Sequence, residues 1–189
     1  MRLFVAIKFP DEFLNDIFSF NKPLRVTFPD VSWIKRENIH LTVKFLGEIP
    51  RDMGAIKKSI EEVTKETKAF DLGIDKTGYF DSGQFIIWQG FGASNDLWQL
   101  VKSLDISLNR LGFRKEKRKY SPHLTLGRGK RLDNTVKEQI VSIVNRLNGE
   151  KLVEKRSIMV SRVILFKSML TKGGAIYNGV ARFPFGKSI

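Results

Sequence analysis

Ile39-His40-Leu41-Thr42-Val43-Lys44-Phe45-Leu46 is the stretch on which the reading of this chain turns. Ile39, Leu41, Val43 and Phe45 share one parity, and His40, Thr42 and Lys44 share the other. That period of two is the signature of a half-buried strand, so the His40 imidazole and the Thr42 hydroxyl stand on one face. The pattern His-Leu-Thr-aliphatic then recurs at His123-Leu124-Thr125-Leu126, and the chain holds only 2 histidines. A single histidine on a strand is usually a hydrogen-bonded structural residue, but packing alone would scatter histidines rather than place both in one motif. Histidine is the side chain whose ordinary pKa lies near neutrality, so a matched pair supplies one acid and one base at one pH. Two such strands facing each other present two imidazoles and two hydroxyls to a common cleft. That is a set of groups suited to phosphoryl transfer.

Outward from the motifs the same periodicities continue. Residues 2–9 read as a core strand closed by Pro10, and residues 11–20 as a helix with Phe13, Leu14, Ile17 and Phe18 on one face. Strands are expected at 31–35 and 39–46, with Trp33 and Phe45 as core aromatics, and a helix at 51–68 with Ile56, Ile60 and Val63 inward. Residues 70–80 and 84–91 form a hairpin joined at Asp81-Ser82-Gly83. Asn95 caps a helix over 96–111 that Gly112 ends. After the second motif, Asp133 or Asn134 opens a helix to 147, ended by Asn148-Gly149. Strands follow at 153–157 and 158–168, and Lys172-Gly173-Gly174 turns the chain into a returning strand at 175–182. Each half therefore carries strands, helices and one motif, with no linker or low-complexity tract between. The expected class is α+β, with two pseudo-symmetric lobes and a cleft between them. Residues 1–189 form a single domain in this reading.

Composition narrows the chemistry. There are no cysteines, which excludes disulfides, thiolate catalysis and cysteine zinc sites, and no dense Asp/Glu cluster points to a carboxylate metal site. No metal and no cofactor is expected. A formal net charge of +13 favours a polyanionic partner, and it reinforces a phosphate-directed motif. The apolar runs are too short for a membrane span or a signal peptide, so a cytoplasmic protein is expected, acting as a monomer.

The chain resembles the 2H phosphoesterase superfamily, defined by two His-x-Thr/Ser-x motifs. Within it the likeness is to the RNA 2′,3′-cyclic phosphodiesterases formerly called 2′-5′ RNA ligases, the LigT-like proteins. Besides the motifs, the resemblance is carried by Arg2-Leu3-Phe4-Val5-Ala6-Ile7, Lys44-Phe45-Leu46-Gly47-Glu48, Ser121-Pro122, and Val163-Ile164-Leu165-Phe166-Lys167-Ser168 with its Gly-rich hairpin. It implies two lobes of antiparallel-rich sheet forming a central V-shaped cleft with helices packed outside. It implies hydrolysis of RNA ends bearing a 2′,3′-cyclic phosphate, tRNA fragments among them, to 2′-phosphates. It also implies His40 as proton donor to the 3′ oxygen and His123 as the base acting on water. An in-line opening of a strained cyclic diester needs those two roles on opposite sides, and two imidazoles provide them without a metal. Thr42 and Thr125 are placed to hold non-bridging oxygens, although threonine is also a common strand residue.

Arg128 could clamp phosphate bidentately, but its parity matches Leu124 and Leu126; a bulge or a strand end at Gly127 would redirect it. Lys44 has the cleft parity and reads equally as a solvated strand residue. Arg114, Lys115, Lys117, Arg118 and Lys119 lead directly into the second motif and suggest a guide for the RNA backbone, with Tyr120 stacking a base. Two other functions fit the same pattern: joining RNA halves through a 2′-5′ bond, or binding RNA without catalysis. No Gly-Lys-Ser/Thr nucleotide loop is present, which disfavours an ATP-driven ligase.

Overall fold

The computed structural model describes residues 2–48, 53–149, 156–171 and 174–186. In chain order these form β1 (Arg2–Ile7), α1 (Asp11–Phe20), α2 (Lys22–Thr27), β2 (Ser32–Trp33), a 3₁₀ turn (Arg36–Asn38), β3 (Leu41–Glu48), α3 (Gly54–Lys65), β4 (Phe70–Asp81) and β5 (Phe85–Phe91). They continue as α4 (Asn95–Asn109), β6 (His123–Gly129), α5 (Asn134–Gly149), β7 (Ser157–Val160), β8 (Arg162–Thr171) and β9 (Gly174–Pro184). Every pairing is antiparallel, in the order β7-β4-β5-β6-β3-β1-β8-β9, with the short β2 added against β6.

The two motif strands lie at the middle of that order. From β6 the sheet runs outward through β5, β4 and β7; from β3 it runs through β1, β8 and β9. The arms meet at one residue pair, Leu41 opposite Leu124. Both leucines are essentially fully buried, and burying a leucine contributes about 1.5–3 kcal/mol, so this seam is held from the helix side. The main core beneath it combines Leu3, Val5 and Ile7 of β1, Leu41 and Val43 of β3, Leu124 and Leu126 of β6, and Leu97, Leu100 and Leu104 of α4. A second core joins Leu24 of α2 and Ile140, Val144 and Leu147 of α5 to Phe85 and Ile87 of β5. Phe4, Ala6, Ile164 and Phe166 form a smaller cluster, with Tyr177 against it. Phe4 and Tyr177 also touch His40, so this cluster lies on the imidazole side of the sheet.

The mixed α and β architecture with antiparallel sheet is the expected class, with several local corrections. The strand expected at 31–35 is only the Ser32–Trp33 pair, after which the chain makes its 3₁₀ turn. Helix α2 has no signature in the sequence, because six residues containing Pro23, Val26 and Thr27 show no helical stripe; the fully buried Leu24 anchors it. The cap of α4 is Ser94, whose hydroxyl accepts from the Leu97 N–H at 3.2 Å, not Asn95. Asp133 caps α5 by accepting from the Val136 N–H at 2.8 Å. The strand read as 158–168 is two: β7 pairs with β4 and β8 with β1. They break at Ser161, whose carbonyl accepts from the Phe185 N–H. Residues 51 and 52 of the helix expected at 51–68, 153–155 of an expected strand, and Lys172-Gly173 of the expected turn lie outside the described residues.

Candidate active site

Around the Leu41–Leu124 pair the antiparallel register carries His40 beside Thr125 and Thr42 beside His123. The four side chains therefore alternate with two buried leucines and stand together on the other face. Each imidazole is oriented by the same device. The His40 Nδ1 lies 2.7 Å from the Asn38 carbonyl oxygen, and the His123 Nδ1 lies 2.7 Å from the Ser121 carbonyl oxygen. A carbonyl only accepts, so both Nδ1 atoms carry the proton and donate it. Both Nε2 atoms are left to act on a substrate.

Aromatic rings set the tilt of each imidazole. His40 lies with its centroid 4.8 Å from Phe4 and 5.0 Å from Tyr177, the latter edge-on. His123 meets Phe80 edge-on at 5.2 Å and Trp88 at 6.3 Å. Trp88 is accommodated because β4 and β5 carry glycine where it crosses them. A Cβ on Gly78 would come within 2.2 Å of the indole, and one on Gly90 within 2.9 Å.

Burial and charge depress both imidazoles. For His40 the largest cause is burial, followed in the same direction by the positive charges of Lys8 and Arg128 and by His123; the Asn38 bond opposes them. The result is a pKa down to about 4. His123 is also pushed below its ordinary value, by burial first and Arg128 second, against the Ser121 bond. Both are thus neutral at pH 7 in the free protein, and an anion beside them would act to raise them.

Two bulges account for what simple alternation missed. Against β1, strand β3 carries Val43 as an extra residue, since Ala6 pairs with Thr42 and Val5 with Lys44. Against β5, strand β6 carries Leu126 as an extra residue, since Trp88 pairs with Thr125 and Ile87 with Gly127. Each bulge follows its motif threonine directly and exchanges the faces beyond it.

In β6 the bulge turns Arg128 to the side of His123 and Thr125, as the glycine allowed. The Gly127 position is tightly covered, because a Cβ there would come within 2.8 Å of Trp33 and Val31. Arg128 also donates to the Gln84 side-chain oxygen at 3.2 Å. In β3 the equivalent residue is Phe45. It is 68% exposed, not core, and its ring lies 6.1 Å from Phe4, the ring beneath His40. Lys44 is turned inward rather than to cleft or solvent, and its ammonium pairs with Asp105 of α4. The other aromatic, Trp33, packs half-buried between the two main cores and donates its ring N–H to the Phe28 carbonyl at 2.8 Å.

The basic segment leaves Arg114, Lys115, Lys117, Arg118 and Lys119 exposed beside the second motif. Tyr120 does not present a face for stacking. Its ring packs against the main core and its hydroxyl donates to the Thr42 carbonyl at 2.8 Å, with burial pushing its pKa up.

Known proteins resemble this chain in sequence and in fold. The family model of the 2′-5′ RNA ligase superfamily matches residues 11–168. The chain belongs to this superfamily. The RNA 2′,3′-cyclic phosphodiesterase of Methanocaldococcus jannaschii is 35% identical over 187 residues, covering 94% of this chain and 97% of its own. Its namesake from Methanothermobacter thermautotrophicus is 30% identical over 189 residues, covering 97% and 98%. A crystal structure of a Thermus thermophilus protein superposes with a TM-score of 0.78 at 20% identity over 100% of both chains. That of E. coli LigT in apo form superposes with 0.70 at 23% identity, over 98% of this chain and 97% of its own. These shared folds and named relatives agree with the family that the two motifs indicated.

Among the described residues, no helix is long and apolar enough to cross a membrane.

Proposed function

We propose that this protein hydrolyses RNA 2′,3′-cyclic phosphate ends to 2′-phosphate ends, with His40 and His123 as its acid and base. The carrying observation is the pairing of two imidazoles in the same tautomer across the Leu41–Leu124 seam, each beside the other motif's threonine. In this reading His123 Nε2 takes a proton from water as its oxygen attacks phosphorus. The bond from phosphorus to the 3′ oxygen breaks, and the protonated His40 Nε2 supplies the proton to that oxygen. Thr42 and Thr125 hydroxyls donate to the non-bridging oxygens, and Arg128 balances their charge. The exposed Phe45 ring offers a face to the base next to the cyclic end. The curated relatives named RNA 2′,3′-cyclic phosphodiesterase support the substrate class.

The test is a cyclic-phosphate oligonucleotide incubated with the enzyme and its product ends read by phosphorus NMR. A 2′-phosphate is expected. A 3′-phosphate would show that the opposite oxygen leaves and that the acid has been misassigned.

Catalysis is expected to survive excess EDTA. Among the described residues no group of three or more His, Cys, Asp or Glu is placed to hold a metal ion, and acid–base transfer between imidazoles needs none. Loss of rate on chelation with recovery on adding Mg²⁺ or Mn²⁺ would overturn this part of the mechanism.

A further inference from the structure

Lys44 and Asp105 form an ion pair that the chemistry of the cleft does not use. It lies on the helix side of β3, with side-chain exposures of 6% and 18%. Desolvating two charges is costly, and a well-packed apolar pair commonly serves such a strand–helix contact as well or better. What apolar side chains could not do is bond to backbone. Lys44 Nζ donates to the Arg114 carbonyl at 2.8 Å, and Asp105 Oδ1 accepts from the Glu116 N–H at 3.1 Å. Burial alone would raise the Asp105 carboxyl. The Lys44 ammonium, the Glu116 amide and the charge of Lys115 together hold it below the usual range, so the Asp105 carboxylate stays charged.

The rest of the segment is held in the same manner. The Asn109 side-chain amide donates to the Phe113 carbonyl at 2.8 Å, and the Tyr120 hydroxyl to the Thr42 carbonyl at 2.8 Å. Glu116, the acid within the run, accepts from the Arg118 N–H at 3.1 Å. Residues 114–119 thus have a pinned backbone without helix or strand, while their side chains point to solvent. A loop with no task would gain nothing from buried charges holding its main chain.

We infer that the Lys44–Asp105 pair is a positioning element that fixes the 114–119 loop as a rigid cationic track for the RNA strand leading into the cleft. It thereby sets the preference for polynucleotide over mononucleotide substrates. The inference rests on the reading that this loop contacts RNA. Lys44 is two residues from Thr42 on the same strand, so the track is registered against the first motif while its far end runs into the second. Ordering the loop beforehand removes that entropy cost from binding, a gain open only to a substrate long enough to reach it.

The test replaces both partners, Lys44→Met with Asp105→Leu, so that no lone buried charge remains. Amide exchange at residues 114–118 is measured with steady-state kinetics on a cyclic-phosphate decanucleotide and on 2′,3′-cyclic AMP across a salt series. Faster exchange in the loop is expected, with oligonucleotide KM raised about tenfold and kcat on either substrate changed far less. Unchanged oligonucleotide KM with a loosened loop would overturn the inference, as would unaltered exchange. An equal fall in kcat on both substrates would do so too, by showing that the pair supports the motif strand.

A second variant keeps the pair and neutralises Arg114, Lys115, Lys117, Arg118 and Lys119. Its oligonucleotide salt slope should flatten by about 0.7 for each phosphate that the loop no longer neutralises. No change in that slope would refute the underlying contact between loop and RNA, separately from the role of the pair.

Discussion

Replacing His40 or His123 with alanine is expected to lower turnover of an RNA 2′,3′-cyclic end by at least about a hundredfold, the usual worth of a positioned acid or base. The chain holds 2 histidines in all, so no third imidazole can move in. Each ring sits among aromatic side chains that carry no titratable group near neutrality to take over its role. His40 is packed between Phe4 and Tyr177, and His123 lies against Phe80 and Trp88. On the proposed mechanism acid and base act in one in-line step, so the losses should not add, and the double variant should resemble the worse single one. Each variant is checked by circular dichroism and thermal melting, since removing a ring from an aromatic cluster also costs stability. A folded single variant that kept more than about a tenth of the wild-type rate would eliminate the two-histidine mechanism.

The strands of this fold were largely legible from sequence because they obey a period of two. Alternation marked the motif strands, and turn residues marked the hairpin of β4 and β5 at its observed place. What alternation could not show is where a strand gains a residue against its neighbour. The bulges at Val43 and Leu126 depend on pairing with β1 and β5, which no local pattern encodes. They exchange the faces of the residues that follow. Hence Phe45, apolar and in phase with Leu41 and Val43, reads as core and is exposed, while Lys44 reads as exposed and is buried. Arg128 is the same effect in reverse, and there Gly127 gave a local hint. The first motif had no glycine at the corresponding place.

Tyr120 shows a different gap. A tyrosine after a basic run suggests base stacking, but its surroundings are supplied by residues remote in sequence. The hydroxyl reaches the Thr42 carbonyl on the other motif strand. The Lys44–Asp105 pair was equally invisible, because a lysine in a strand and an aspartate in a helix acquire meaning only when the two are apposed. Sequence thus located the catalytic candidates, and the fold added the groups that aim them.

Acidification is expected to act on this protein through His40 in two ways. Its folded pKa is down to about 4 against an ordinary 6.5, so between those values the unfolded chain binds a proton that the folded chain refuses. Stability from this group is full above pH 6.5 and is lost as pH falls toward 4, by about 3 kcal/mol in total. A His40→Gln variant lacks this titration. Denaturant melts of the two proteins at pH 7 and pH 4 should therefore converge or cross as pH falls, and parallel loss in both would refute the depressed pKa. The same depression governs rate. Since kcat/KM reports the free enzyme, and both imidazoles titrate below their ordinary value there, kcat/KM should peak on the acid side of pH 6.5. On the alkaline limb it should fall about tenfold per pH unit, as the protonated acid becomes scarce. On the proposed mechanism the phosphodiester anion binds between the imidazoles and offsets Lys8 and Arg128, so the kcat profile should be displaced to higher pH than the kcat/KM profile. Coincident profiles, or a kcat/KM optimum at alkaline pH, would mean that the anion does not supply the charge that lets His40 carry its proton.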